Sequence, residues 1–125
     1  MEITVVKEFT FDAAHQLPNH PGKCKNVHGH TYRMQIGIKG AVDPNTGMVV
    51  DFSEVKELVN QRIINKLDHS YLNDQLPYES PTAENMVVWI VEKLYDLFAV
   101  EWEGKVRLSF VRLYETPTSY AEWRG

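Results

Sequence analysis

The sequence predicts an α+β fold, an antiparallel four-stranded sheet with two helices packed on one face, in the order ββααββ. Three observations carry this reading. Apolar and polar residues alternate near both ends of the chain. Two central segments repeat apolar residues at helical spacing. Each of these segments has only one apolar face, so sheet and helices must cover each other.

The first strand runs from Ile3 to His15, with Ile3, Val5, Phe9, Phe11 and Ala13 on the apolar parity and Thr4, Glu8, Thr10 and Asp12 on the other. Leu17 to Asn26 is rich in Pro, Gly and Asn and reads as a loop. A second strand from Val27 to Lys39 places His28, His30, Tyr32, Met34, Ile36 and Ile38 on one face, and it pairs with the first. After a turn between Gly40 and Gly47, Asp51-Phe-Ser-Glu54 forms an acidic variant of the capping box. It opens a helix whose stripe is Phe52, Val55, Val59, Ile63 and Leu67. Thr82 caps a second helix with Met86, Ile90, Leu94 and Leu97 in its stripe, widened by Val87 and Phe98, and Gly104 lies beyond its end. Lys105 to Glu115 returns to alternation through Val106, Leu108, Phe110 and Tyr114, and Thr118 to Trp123 is a short last strand. The second sheet face is polar and the sheet edges are unpaired, which favours a homo-oligomer joined edge to edge.

The 125 residues, 43% apolar and 24% charged, suit one domain spanning 1–125. A chain of this length buries roughly two-thirds of its unfolded surface, so it needs no disulfide framework. The single Cys24 agrees, and it points to a reducing, cytoplasmic setting. The N-terminus lacks the pattern of a secretory signal, and no segment has the ~20 apolar residues of a membrane span. Thirteen Lys plus Arg against seventeen Asp plus Glu argue against a broad nucleic-acid surface, while leaving room for a local basic pocket.

Three histidines of matching strand parity carry the chemistry: His15, His28 and His30. Residues two apart on a strand share a face with Cα atoms about 6.6 Å apart. Two imidazoles can close that gap over one ion at about 2.1 Å, and a third neutral nitrogen leaves a fourth position open, the pattern of a catalytic Zn2+ site. His20, in the loop, has no strand geometry behind it. Cys24 precedes His28 by four residues in a polar setting, where a nearby cation favours thiolate as base or nucleophile; spacing alone equally allows it to ligate the metal. Asp68-His69 offers a carboxylate that orients an imidazole for proton transfer, although His is also ordinary at a helix C-terminus. Glu115 ends an apolar strand and can accept paired N–H donors from a ligand. Thr82 and Glu84 open the second helix, where capping alone accounts for them.

Five segments in order, Phe9-Thr-Phe-Asp-Ala-Ala-His15, Cys24-Lys-Asn-Val-His28-Gly-His30, Leu67-Asp-His69, Pro81-Thr-Ala-Glu-Asn85 and Glu115-Thr-Pro-Thr-Ser119, resemble the 6-pyruvoyltetrahydropterin synthase family over nearly the whole chain. The four-residue step from Cys24 to His28, and Val27 where folate-related variants carry glutamate, look closest to the bacterial and archaeal 6-carboxytetrahydropterin synthase branch, which supplies queuosine and related 7-deazaguanines. The resemblance implies a tunnelling fold, in which trimers close their sheets into a barrel and two trimers stack as a hexamer. It implies conversion of 7,8-dihydroneopterin triphosphate into 6-carboxy-5,6,7,8-tetrahydropterin, acetaldehyde and triphosphate. His15, His28 and His30 then hold zinc, Cys24 removes a carbon-bound proton, Asp68 and His69 relay protons, and Glu115 grips the pterin, with Thr82 and Glu84 as further substrate-binding candidates; Glu115 and Cys24 can come from different subunits. Lys23 and Lys25, flanking Cys24, are the first candidates for the triphosphate. The rival readings are a pyruvoyl-forming or sepiapterin-cleaving lyase of the same fold, a zinc hydrolase, and a non-catalytic zinc or pterin-binding module.

Overall fold

Two long alternating segments fold back on each other as the strands β1 (Glu2–His15) and β2 (His28–Ala41), paired antiparallel along their whole length in a computed structural model that describes residues 1–125. Their register sets Phe9 opposite Met34, Phe11 opposite Tyr32 and His15 opposite His28, so the apolar parities of the two strands share one face. The ring of Phe11 stacks on that of Tyr32 at 5.0 Å.

The helical layer covers that face. A first helical run comprises α1 (Phe52–Val59), a π-helical turn (Asn60–Ile64) and α2 (Asn65–Leu67). Val55, Val59, Ile63 and Leu67 recur every four residues, more than the 3.6 of an α-helix, so a regular helix would rotate them away from the sheet. The wider π turn takes up the excess, and all four are fully buried. Phe52, expected in that stripe, is exposed at the first turn, and Val50 is buried instead. Nor does the capping box close. Asp51 accepts from the backbone N–H of Ser53 at 2.8 Å, while Glu54 accepts from the indole of Trp102 at 3.1 Å. After the short β3 (Ser70–Tyr71) and α3 (Leu72–Gln75), the helix α4 (Ala83–Glu101) starts on Thr82, whose hydroxyl accepts from Asn85 N–H at 3.2 Å. It buries Met86, Trp89, Ile90, Leu94 and Phe98 in the same core, with Leu97 only partly covered. No helix is long and apolar enough to cross a membrane.

The strands β4 (Val106–Thr116) and β5 (Ser119–Arg124) complete a five-stranded sheet in the order β3-β1-β2-β4-β5. The expected four-stranded antiparallel sheet thus gains a fifth, parallel strand: β3 pairs with β1 through Ala13–Ser70 and Ala14–Tyr71. Two residues are too few to show a period, so this strand has no sequence signature. Phe110 and Tyr114 also depart from expectation. A bulge opposite Gly37 and Ile38 inserts one residue into β4 and reverses its parity. Val106 and Leu108 face the core before it and Val111 and Leu113 after it. Phe110 and Tyr114 lie on the opposite, polar face.

Phe110 packs directly over Gly37, where an added Cβ would meet its ring at 2.2 Å. Gly37→Ala is therefore expected to destabilise the fold by about 1–3 kcal/mol, the usual range for forcing atoms into a packed site. Urea unfolding checks it; an unchanged midpoint would show that the ring moves aside freely.

Candidate metal and substrate site

The three imidazoles meet where β1 ends and β2 begins. His15 and His28 are direct cross-strand partners and His30 lies two residues further along β2. Their ring centroids are 4.5 to 5.1 Å apart, and one ligand nitrogen from each falls within 4.8 Å of the other two. Backbone carbonyls fix how the rings turn. His15 Nδ1–H donates to Pro81 O at 3.0 Å and His28 Nδ1–H to Asn26 O at 2.8 Å. This tautomer leaves the two Nε2 lone pairs facing each other at 2.9 Å. His30 Nε2 is buried and has no hydrogen-bond partner.

Burial pushes both His15 and His30 below the ordinary imidazole range, against the opposing pull of the Glu115 carboxylate, so the neutral, lone-pair-bearing forms are favoured. Opposed lone pairs and an orphaned buried nitrogen are what a bound cation resolves, and carbonyl-anchored Nδ1–H groups are the usual support of histidine ligands. Three neutral imidazole donors fit Zn2+. The Cys24 thiol is not part of this cluster.

Glu115 reaches the cluster from β4, with Oε1 3.8 Å from His30 Nε2 and Oε2 4.0 Å from His15 Nε2. Both separations exceed hydrogen-bond length, so the carboxylate keeps its acceptors for another partner. Thus Glu115 and the histidines sit together within one chain. The Tyr32 hydroxyl lies 3.4 Å from His15 Nδ1, and burial raises its pKa far enough to keep the phenol neutral.

Cys24 is half-buried in a single 3-10 turn, Lys23–Lys25, tied down by the bond from Leu17 N–H to its carbonyl at 2.8 Å. Lys23 and Lys25 are both exposed, and His20 remains in the loop, accepting from Gly22 N–H. Asp68 and His69 form the corner after α2. The helix ends at Asp68, whose backbone is extended; His69 follows in a left-handed conformation, φ 57°, with its ring largely exposed and Nδ1 3.0 Å from Asp68 Oδ2. Asp12 braces this pair through its backbone: its N–H donates to Asp68 Oδ1 at 3.0 Å and its carbonyl accepts from His69 N–H at 2.6 Å. Thr82 caps α4, and Glu84 shares a shallow depression with Glu115. Sequence reasoning missed Pro81 O, Asn26 O and the bracing by Asp12; backbone acceptors leave no residue-type signal.

The same end of the sheet opens a cavity of about 750 Å³ that includes His30 and Glu115 and extends along the polar face to Arg33 and Tyr114. The guanidinium of Arg33 lies 4.0 Å over the Tyr114 ring.

A family model described as 6-pyruvoyl tetrahydropterin synthase matches residues 4–125. The chain is 43% identical to the 6-carboxy-5,6,7,8-tetrahydropterin synthase of Synechocystis sp., covering 95% of this chain and 91% of that one. It is 33% identical to the protein of the same name from Haemophilus influenzae, covering 96% and 97%. Among solved structures it superposes on the Caenorhabditis elegans 6-pyruvoyl tetrahydropterin synthase with a TM-score of 0.86 at 27% identity, over 100% of this chain and 96% of that one.

Zinc titration against a chromophoric chelator is expected to show one equivalent bound, with His28→Ala weakening affinity by about 100-fold or more, since even supporting residues of such sites cost 10–100-fold. Retained affinity in the variant would dissolve the proposed centre. The Asp68 carboxyl is held below the ordinary carboxylate range, chiefly by the Asp12 N–H and further by His69. Its contribution to stability is present above the unfolded value of about 3.9 and is lost as pH falls through the lower folded value. Asp68→Asn should therefore flatten the fall in melting temperature below about pH 4; parallel acid limbs in the two proteins would contradict this.

Proposed function

The chain belongs to the 6-pyruvoyl tetrahydropterin synthase family, and from that membership we propose that it is a 6-carboxy-5,6,7,8-tetrahydropterin synthase. It converts 7,8-dihydroneopterin triphosphate into 6-carboxytetrahydropterin, acetaldehyde and triphosphate, supplying queuosine and related 7-deazaguanines in the cytoplasm. Water must also be consumed, because the new carboxyl needs a second oxygen. The convergence of His15, His28 and His30 beside Glu115, in a chain whose relatives carry this synthase name, is the observation that supports the reading.

Zinc held by these three histidines would polarise the side-chain oxygens of the substrate and stabilise negative charge developing there. Glu115 accepts two N–H groups from the amino-pyrimidine edge of the pterin, a paired geometry that orients the ring. Cys24 takes a proton from a side-chain carbon. Asp68 orients His69 at 3.0 Å, and the exposed imidazole exchanges protons between substrate hydroxyls and solvent. Glu84 borders the pterin end through the depression it shares with Glu115, and Thr82 caps the helix that carries Glu84. Lys23 and Lys25 draw the polyanion toward the Cys24 turn by long-range attraction.

The assembly we propose is the trimer whose sheets close into a tunnel, doubled to a hexamer. Support comes from the two open edges. The outer side of β1 is paired only at Ala13 and Ala14, and β5 ends the sheet on the other side. Pairing of those edges between copies covers backbone groups that otherwise invite aggregation.

Incubation of the zinc-loaded protein with 7,8-dihydroneopterin triphosphate should release acetaldehyde and the carboxylated pterin, identified by mass spectrometry. Cys24→Ala is expected to lower turnover by about 10²–10⁴-fold, the usual contribution of a positioned base, while zinc and pterin remain bound. Accumulation of a pyruvoyl pterin would reassign the chain within its family, and a fully active Cys24→Ala would remove the thiol from the chemistry.

A further inference from the structure

We propose that Arg33, assisted by the hydroxyls of Thr10 and Thr116, forms a polyphosphate subsite on the polar face of the sheet. The identity of the ligand rests on the lyase reading above; the subsite itself rests on the geometry of one arginine.

Four of the five arginines in the chain lie on this face, and three are saturated by carboxylates. Arg107 makes two bonds to Glu2, at 2.9 and 3.1 Å. Arg112 and Arg124 each reach Glu122 at 2.6 Å. Arg33 differs. Its nearest acid oxygen, Glu8 Oε1, is 3.8 Å away, beyond hydrogen-bond length, and that oxygen already accepts from Gln35 at 3.0 Å. The guanidinium carbon lies 4.0 Å over the centre of the Tyr114 ring, its N–H groups make no hydrogen bond within the chain, and the side chain is 42% exposed.

This side chain borders the same cavity as His30 and Glu115. Arg33 lies three residues from His30 on β2, roughly 10 Å along the strand and on the other face of the sheet, and the cavity that both residues line joins them. A substrate whose reacting oxygens sit at the histidines and whose phosphates follow along its side chain spans a distance of that order. Thr10 is the direct cross-strand partner of Arg33 and also lines the cavity. Its hydroxyl proton is uncommitted, and the Thr116 hydroxyl only accepts, from Thr118 N–H, so both can donate to a phosphate oxygen. Thr31 cannot, because its proton is given to Asp12 at 2.5 Å. Glu8 and Glu115 repel an anion here, which makes the hold depend on Arg33. Lys23 and Lys25 are not among the cavity's lining residues.

Calorimetric titration of the zinc-loaded protein with inorganic triphosphate, with zinc content verified afterwards, tests the assignment. Arg33→Met is expected to weaken binding by about tenfold or more, as loss of a charge-assisted hydrogen bond does, with Arg33→Lys in between. Arg107→Met, which removes the same charge from the same face, should bind as the native chain does. Affinity for 7,8-dihydroneopterin, which lacks the phosphates, should be unchanged in Arg33→Met, which also shows that the variant is folded. Equal triphosphate affinity in the native protein and Arg33→Met, equal weakening by Arg107→Met, or no triphosphate binding by the native chain would each overturn the subsite. Arg33-dependent binding without any pterin product would leave the subsite standing and sink the lyase reading. Product formation with a KM indifferent to Arg33→Met would do the reverse.

Discussion

The register of the β1–β2 hairpin is the constraint on which the rest depends. Phe9, Phe11, Tyr32 and Met34 must face the helices, and that requirement alone sets His15 opposite His28, with His30 next on the same face. A slip of one residue would expose the core and separate the histidines in the same step. Burying apolar surface and assembling the donor set are therefore one event. What hydrophobicity cannot do is aim the rings, and here the carbonyls of Pro81 and Asn26 act. Each holds an Nδ1–H and so turns an Nε2 lone pair inward, at the cost of an electrostatic conflict that a cation relieves.

The helical layer is fastened to this end of the hairpin by polar contacts rather than by packing alone. Asn73, in α3, donates to Gln16 O at 2.8 Å and accepts from Gln16 N–H at 2.9 Å, fixing the chain as it leaves His15. Asp12, three residues earlier, binds both members of the Asp68–His69 corner through its backbone. The helical run ends at the extended Asp68, and the left-handed His69 after it turns the chain so that Ser70 and Tyr71 lie parallel to β1. Each candidate group at this corner thus gains its position from a main-chain bond to the strand that carries His15.

Much of this was legible in the sequence because it rests on parity. Alternation located the long strands to within a residue or two and put the three histidines on one face, and helical spacing found the two main helical runs. The failures have physical causes. The four-residue spacing of Val55, Val59, Ile63 and Leu67 was itself the trace of a π turn, but a loose α-helical template absorbs it. The strand β3 is too short for any pattern. The Asp51 side chain satisfies a donor two residues on, and Glu54 is drawn away by Trp102, so a capping motif that reads well locally is outcompeted by a tertiary partner. Pro81, 66 residues from His15 in the chain, carries its contribution in a carbonyl common to every residue type.

The β4 bulge shows how one inserted residue can determine chemistry. Continued from Val106 and Leu108 without interruption, the alternation of β4 would send Phe110, Arg112 and Tyr114 into the core and Glu115 to the polar face. That arrangement would bury an arginine without a partner and withdraw the carboxylate from the histidines. The irregularity opposite Gly37 and Ile38 exchanges the two faces. Val111 and Leu113 enter the core, Glu115 comes within 4.0 Å of His15, and Tyr114 becomes the platform beneath Arg33. Gly37 makes this possible because its missing side chain leaves room for the Phe110 ring that the bulge displaces. The strand end facing the histidines and the aromatic platform on the opposite face are thus two products of one change in phase.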